Sequence, residues 1–160
     1  MGEAPPRLDH IFFDNETRPH LGAVLLKSKL LQPEQLDAAL AEQREQHKRL
    51  GEILIERGWL FPQDIARALA AQHGLDYVDI QYSSVDSAAA VALDSEIGRR
   101  HCAIPIRFLA DGRLLVAVAD PTSAGLEEIR SAIRCPVVFA VSEASDVRTA
   151  WHALLRGYRP

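Results

Sequence analysis

The chain has 160 residues, of which 48% are hydrophobic and 25% are charged, and its formal net charge is −4. Such a composition is typical of a globular protein, and the length suffices for one medium domain or two small ones. The acidic balance argues against nucleic acid as a partner, because a long polyanion needs a basic surface stripe. It leaves open a small anionic ligand, which needs only a few hydrogen-bond donors in one place.

The cysteine content and the hydropathy of the chain indicate its cellular environment. Cys102 and Cys135 form no metal-ligand cluster, so we expect no metal and a reduced, cytoplasmic environment. No apolar run approaches the roughly 20 residues that a membrane-spanning helix needs. Residues 1–19 are too polar for a signal peptide. The prediction is therefore a cytoplasmic chain without direct membrane insertion.

In chain order, residues 1–19 come first, and their three prolines and polar run at 14–17 favour an extended arm. From residue 20 the chain repeats itself, because residues 20–26 align with 49–55 and equivalent positions lie 29 apart. The same offset relates Pro33 to Pro62 and Gln43 to Gln72. A constant offset with matching glycine, proline and glutamine indicates a duplication.

The sequence pattern of each copy predicts two helices. The first is short and begins at a Leu-Gly pair, and the second begins at Pro33 or Pro62, since proline is well tolerated at the first helical position. Leu36, Leu40 and Gln43 then share one helix face, and positions 65, 69 and 72 repeat that spacing. Residues 44–48 are predicted to be a charged connection between the copies.

The pattern changes after Gly74. Strands are predicted at 77–80, 104–109, 114–119 and 136–141, with Asp111-Gly112 as a hairpin turn. Helices are predicted at 93–100, at about 123–134 after Thr122 or Ser123 as the cap, and at 143–157. The fold class is therefore α+β. It consists of an arm at 1–19, an all-α subdomain at 20–74 and a small α/β subdomain at 75–160.

The repeat allows two interpretations. Gly22 and Gly51 would let a ligand approach the backbone at each helix start, or they would simply allow close helix packing. Arg49 would grip a purine edge with two hydrogen bonds, or it would be a solvated residue at a helix start. The leucines would cover a flat base, or they would form the core. Two half-sites would suit a ligand with two bases and two phosphates.

The doubled motif resembles the MshEN domain, found at the N-terminus of type II secretion and pilus ATPases. The copies are residues 20–43 and 49–72, each with the order Leu-Gly, an apolar pair, and a later Leu or Ile, Leu and Gln. The resemblance implies that the repeat binds cyclic di-GMP, with one half of the ligand in each copy. The implied ligand-binding residues are Arg18, His20, Leu21, Gly22, Leu25, Leu36, Leu40, Gln43, Arg49, Leu50, Gly51, Leu54, Ile65, Leu69 and Gln72.

The first copy departs from that family pattern twice. His20 stands where the second copy has Arg49, and Arg18 is close enough in sequence to replace it. Lys29 stands where the second copy has Gly58, and we expect it to alter the turn that ends the first helix, because glycine suits that position. These departures put the affinity in question more than the fold.

The resemblance extends over the α/β half, through residues 101–106 and 115–121, and covers about residues 20–158. No Walker A, HExxH, CxxC or GxSxG pattern occurs, so no enzyme activity is assigned. The resemblance implies a regulatory domain of a larger secretion or pilus ATPase, or of a membrane glycosyltransferase, at the cytoplasmic face of the inner membrane. The alternative is a protein-docking module that binds an inner-membrane secretion component and no nucleotide.

Overall fold

A computed structural model describes residues 20–80 and 84–157. The arm predicted at 1–19, and with it Arg18, lies outside the described residues. The chain divides into two compact units, Met1–His73 and Gly74–Pro160. The described residues form eight helices and one four-stranded sheet, and this confirms the α+β class.

The described part of the first unit, residues 20–73, contains four helices, two from each copy of the repeat. These are α1 (Leu21–Lys27), α2 (Pro33–Gln46), α3 (Leu50–Glu56) and α4 (Pro62–His73). The predicted starts at the Leu-Gly pairs and at the prolines are confirmed. In each longer helix, a polar side chain of the first turn accepts a hydrogen bond from the backbone N–H just before the helix. The N–H of Gln32 donates to Gln35 Oε1 at 2.9 Å, and the N–H of Phe61 donates to Asp64 Oδ2 at 2.9 Å.

The turn that ends the first helix is the same in both copies, so the expectation that Lys29 alters it was wrong. Lys29 has φ 57° and Gly58 has φ 69°, both in the left-handed region. The N–H of Lys29 donates to Leu26 O at 3.0 Å, and the N–H of Gly58 donates to Ile55 O at 2.9 Å. The Lys29 side chain is exposed, so the turn costs only the strain of a left-handed residue that has a Cβ, about 1–2 kcal/mol.

The helices of the two copies pack crosswise. The first helix of each copy lies against the second helix of the other, so that α1 packs on α4 and α2 packs on α3. Apolar residues from both copies fill one shared core, and its fully buried members are Leu25, Ala39, Ile53 and Leu54. Neither copy therefore has a core of its own.

The second unit is built on a mixed sheet with the strand order β1-β4-β3-β2. The strands are β1 (Asp76–Tyr77), β2 (Ala103–Phe108), β3 (Leu114–Val118) and β4 (Val137–Val141). β1, β4 and β3 run parallel, and β2 pairs antiparallel with β3 across the predicted hairpin. The first strand is shorter than expected, because only two of its residues pair with β4.

Four helices complete the described part of this unit. They are α5 (Ser87–Ala90), α6 (Ser95–Arg100), α7 (Ser123–Ala132) and α8 (Ala144–Gly157). Thr122 caps α7 by accepting a hydrogen bond from the N–H of Gly125, as one of the two predicted caps. The sequence analysis did not predict α5, which is a single turn capped by Asp86.

The sheet carries a core on each face. One core packs Val147, Ala150 and Trp151 of α8 against the sheet, and the other packs Ile129 of α7 there. The indole Nε1 of Trp151 donates to Ala103 O at 2.8 Å, so its buried N–H is satisfied. Within residues 20–80 and 84–157, no helix is long and apolar enough to span a bilayer.

Candidate ligand-binding site

A cleft of about 380 Å³ opens in the first unit. Its volume falls within the range of roughly 300–1,000 Å³ that is typical of small-molecule sites. Most of its wall is apolar, with a few polar side chains. The lining residues are His20, Leu21, Gly22, Ala23, Leu36, Leu40, Gln43, Arg44, Leu50 and Gln72.

Two pairs of equivalent residues meet at this cleft. Leu21 and Leu50 occupy the same position in the two copies, and so do Gln43 and Gln72. Each pair therefore contributes one side chain from each copy to a single cleft. Such a pairing suits a ligand with two chemically equivalent halves.

One face of α2 forms a large part of the wall. Leu36, Leu40, Gln43 and Arg44 line the cleft, at the helical spacing i, i+4, i+7 and i+8. The two leucines supply a flat apolar surface, and the glutamine and arginine follow at the C-terminal end of the helix. The wall is thus apolar along α2 and polar at its end.

The two glutamines differ in their hydrogen bonds. Gln43 Nε2 donates to Lys48 O at 3.1 Å, so its amide also holds the connection between the copies. The Gln72 side chain has no hydrogen-bond partner among the residues that the structure describes. Because an amide both donates and accepts, Gln72 keeps its full capacity for a ligand.

His20 adds an unpaired ring nitrogen to the cleft. Its Nε2 is buried and has no hydrogen-bond partner among the described residues. A buried polar atom without a partner costs about 1–3 kcal/mol, and a bound group can recover that cost. His20 is therefore a point at which a polar ligand atom would be favoured.

The two repeat glycines contact the second helix of their own copy. A Cβ on Gly22 would lie 2.9 Å from Leu36 Cδ1, and a Cβ on Gly51 would lie 3.0 Å from Ile65 Cγ2. Both distances are shorter than an ordinary carbon–carbon contact of about 3.5–4.0 Å. Close helix packing therefore accounts for both glycines, and Gly22 also lines the cleft.

The other described residues of the predicted set are not among those that line the cleft. Leu25 and Leu54 are fully buried in the core, and Ile65 and Leu69 pack with them. Arg49 and Gly51 are not among the lining residues, and the Arg49 side chain at the start of α3 is exposed. The four apolar residues of this group therefore contribute to the core of the first unit.

The sequence analysis missed two lining residues, Ala23 and Arg44. Arg44 was assigned to the connection between the copies, although α2 continues to Gln46. The signal that would have found Arg44 is its spacing, because it lies four residues after Leu40 and eight after Leu36 on the same helix face. Ala23 directly follows the Leu-Gly pair and has no distinguishing chemistry.

Comparison with known proteins identifies the family to which the chain is similar. The MshEN domain matches residues 73–158. The type IV pilus assembly ATPase PilB of Thermus thermophilus is 34% identical over 141 residues, which is 88% of this chain and 15% of that protein. Bacteriophage adsorption protein B of Escherichia coli K12 is 27% identical over 152 residues, which is 92% of this chain and 20% of that protein. The chain thus spans a fifth or less of the length of each relative.

Two solved structures share the fold. A structure of MshE with cyclic di-GMP (cdg) superposes with a TM-score of 0.74 at 26% identity, covering 86% of this chain and 99% of that one. The N-terminal domain of XpsE superposes with a TM-score of 0.63 at 23% identity, covering 86% of this chain and 93% of that one. With the family match over more than half of its residues, the chain belongs to the MshEN domain family.

Proposed function

We propose that this chain is a cyclic di-GMP-binding regulatory domain, and that the ligand occupies the cleft of the first unit. The observation that carries the proposal is the meeting of Leu21 with Leu50, and of Gln43 with Gln72, at one cleft. Cyclic di-GMP has two guanines and two phosphates related by a two-fold axis. A duplicated set of side chains matches that symmetry.

The chemistry of the wall fits the parts of this ligand. Leucine side chains can cover the flat faces of a purine, and amide groups can pair with its polar edge. His20 and Arg44 supply donors for oxygen or nitrogen acceptors. The likeness to MshE, whose structure contains cyclic di-GMP, supports the same ligand class for this chain.

A calorimetric titration of the purified chain with cyclic di-GMP tests the proposal, with GTP and cyclic di-AMP as controls. We expect selective binding at one ligand per chain. Absence of heat, together with absence of a thermal shift at high ligand concentration, would contradict the proposal.

Two substitutions test the placement of the ligand. Gln72→Ala should weaken binding by about 1–3 kcal/mol, the contribution of a good bidentate contact to a base. Arg49→Ala tests the further contact that the family resemblance implies outside the described wall, and it should weaken binding by about the same 1–3 kcal/mol. Gln63→Ala is the matched control for Gln72, because Gln63 lies on the same helix and is exposed outside the cleft. Wild-type affinity in both Gln72→Ala and Arg49→Ala, with the fold intact, would show that the ligand does not bind here.

We further propose that the domain regulates a host chain without catalysing a reaction itself. The relative PilB, a type IV pilus assembly ATPase, supports a secretion or pilus ATPase as the host. A membrane glycosyltransferase is the second kind of host, and it rests on the family resemblance of the sequence alone. The domain would act at the cytoplasmic face of the inner membrane, through the rest of the host or an inner-membrane secretion component. An ATPase host would carry a Walker A motif elsewhere in the same polypeptide. The sequence of the gene that encodes the host polypeptide tests this.

A second candidate function is protein docking without a nucleotide. It is favoured by the family match at 73–158, which leaves out both copies of the repeat, and by His20 in the place of an arginine. The second unit carries exposed apolar side chains at Val91 and Phe108, which a protein partner could cover. This candidate predicts no heat with cyclic di-GMP and loss of binding to an inner-membrane component in Phe108→Asp. Unchanged binding of that component by Phe108→Asp and Val91→Asp would count against it.

A further inference from the structure

An arginine and a histidine exchange places between the two copies of the repeat. The position just before the Leu-Gly pair is His20 in the first copy and Arg49 in the second. The position just after the glutamine is Arg44 in the first copy and His73 in the second. Each copy therefore keeps one guanidinium and one imidazole, at opposite ends of its motif.

In the first copy both members of this exchange reach the same cleft. His20 lies at the start of α1 and Arg44 in the last turn of α2, and both line the cleft. The guanidinium of Arg44 has no ion pair or hydrogen bond with any residue that the structure describes, and its side chain is exposed. By contrast, Arg57 in the same unit pairs with Glu42 at 2.6 Å. Arg44 is thus available to a ligand.

Arg44 also provides the charge of the cleft. The other lining residues are aliphatic side chains, a glycine, two amides and His20, and none of them is a lysine, a second arginine or a carboxylate. A ligand with two phosphodiester groups carries two negative charges and needs a compensating cation. Arginine remains protonated throughout that range and presents paired N–H donors in a fixed geometry.

We propose that Arg44 is the ligand-binding guanidinium of the first copy, in place of the arginine that His20 has replaced at the motif's first position. This inference rests on the proposed function and identifies a residue of that same site. Arg44 binds two adjacent acceptors of the ligand, either the O6 and N7 of a guanine or two phosphodiester oxygens. His20 adds one further donor or acceptor through its unpaired Nε2.

The first test is the affinity of Arg44 variants for cyclic di-GMP, measured by calorimetry on the full chain. Arg44→Ala should weaken binding about 5- to 150-fold, which corresponds to about 1–3 kcal/mol. Arg44→Lys should recover only part of the loss, because it keeps the charge but lacks the paired donors. Lys27→Ala is the charge-matched control, because it removes an exposed cation of the same unit that does not line the cleft.

The second test is whether an arginine at position 20, the first position of the motif, restores the affinity that Arg44→Ala loses. In the Arg44→Ala background, His20→Arg should restore most of the lost affinity, because it returns the guanidinium to the position that it has in the second copy. In the wild-type background the same change should have a smaller effect, since Arg44 is already present. This non-additivity is a readout that a purely structural role of Arg44 would not produce.

A ligand analogue distinguishes the two kinds of acceptor. Cyclic di-GMP with 7-deazaguanine lacks N7 and keeps both phosphodiesters. If Arg44 binds the guanine edge, the analogue binds wild type more weakly, and Arg44→Ala costs less affinity for the analogue, which keeps only O6, than for cyclic di-GMP. If Arg44 binds the phosphodiester, the two losses are independent and add.

The outcomes separate this inference from the proposed function. Wild type that binds cyclic di-GMP while Arg44→Ala binds equally well would overturn the inference alone. Wild type that does not bind at all would overturn both. Loss of affinity in Arg44→Ala, with an unchanged melting temperature, retained affinity in Lys27→Ala and rescue by His20→Arg, would establish Arg44 as the guanidinium of the first copy.

Discussion

Substitution of Gly22 by alanine should test the packing on which the cleft depends. The added Cβ would lie 2.9 Å from Cδ1 and 3.2 Å from Cδ2 of Leu36. Relief requires Leu36 to move by roughly 0.5–1 Å, because carbon atoms pack best at about 3.5–4.0 Å. Leu36 is almost fully buried and also forms the wall of the cleft, so the movement affects both the core and the ligand surface.

The expected magnitude follows from two opposing effects. Overpacking a well-filled site costs about 1–3 kcal/mol. Replacing a helical glycine by alanine gains about 0.5–1 kcal/mol, because glycine loses more backbone freedom on folding. The net expectation is that Gly22→Ala destabilises the first unit by about 1–2 kcal/mol and weakens ligand binding by displacing Leu36.

Urea denaturation, monitored by amide hydrogen exchange in α1–α4, measures the stability of this unit. Calorimetry measures the affinity for cyclic di-GMP. Gly51→Ala is the matched variant in the second copy, where the Cβ would lie 3.0 Å from Ile65 Cγ2 and neither residue lines the cleft. It should lower stability to a similar degree and change affinity less. Wild-type stability and affinity in Gly22→Ala would refute the assignment of this glycine to close helix packing.

Two further predictions concern the turn of the first copy and the acidic groups of the second unit. Lys29→Gly should raise the unfolding free energy by about 0.5–1 kcal/mol in a urea titration, because glycine relieves the strain of the left-handed turn at a smaller entropic cost; no gain would indicate that the turn is unstrained. Burial and the nearby carboxylates of Asp146 and Asp79 raise the pKa of Glu143, and burial and Asp79 raise the pKa of Asp146. Since the folded-state pKa values exceed the unfolded ones, the stability of this unit should fall as pH rises from about 4 through the folded pKa values. Glu143→Gln should therefore stabilise the unit at pH 7 and lose that advantage below pH 4 in thermal melts, whereas an equal gain at both pH values would contradict the electrostatic cause.

The helices of the repeat were predictable because their boundaries are local. Pro33 and Pro62 mark the starts of the longer helices, and the spacing of Leu36 and Leu40 identifies a single face. The turn at Lys29 was not predictable in the same way, because propensity alone favours glycine there, and the packing of the flanking helices overrides it. The short helix α5 was missed because four residues are too few to show a period, although Asp86 is a typical cap.

The candidate site was less predictable than the fold. The motif indicates which positions recur, but it does not indicate which of them lie on the cleft wall and which lie in the core. Leu25 corresponds to Leu54 and Leu36 to Ile65 in the second copy, yet of the two first-copy residues only Leu36 lines the cleft. That distinction depends on how α1 crosses α4 and α2 crosses α3, which is a contact between distant segments and leaves no local pattern.

The crosswise packing of the two copies has a consequence for how such a unit can arise. A single copy, cut out at residues 20–47, would expose the faces of α1 and α2 that normally bury against α4 and α3. Two identical single copies can satisfy those faces for each other, because the contacts are reciprocal. A symmetric pair of separate half-length chains is thus a sufficient ancestor for this unit. Fusion of the two genes then removes the dependence of the fold on concentration, and it frees the two halves to diverge, as His20 and Arg49 have done.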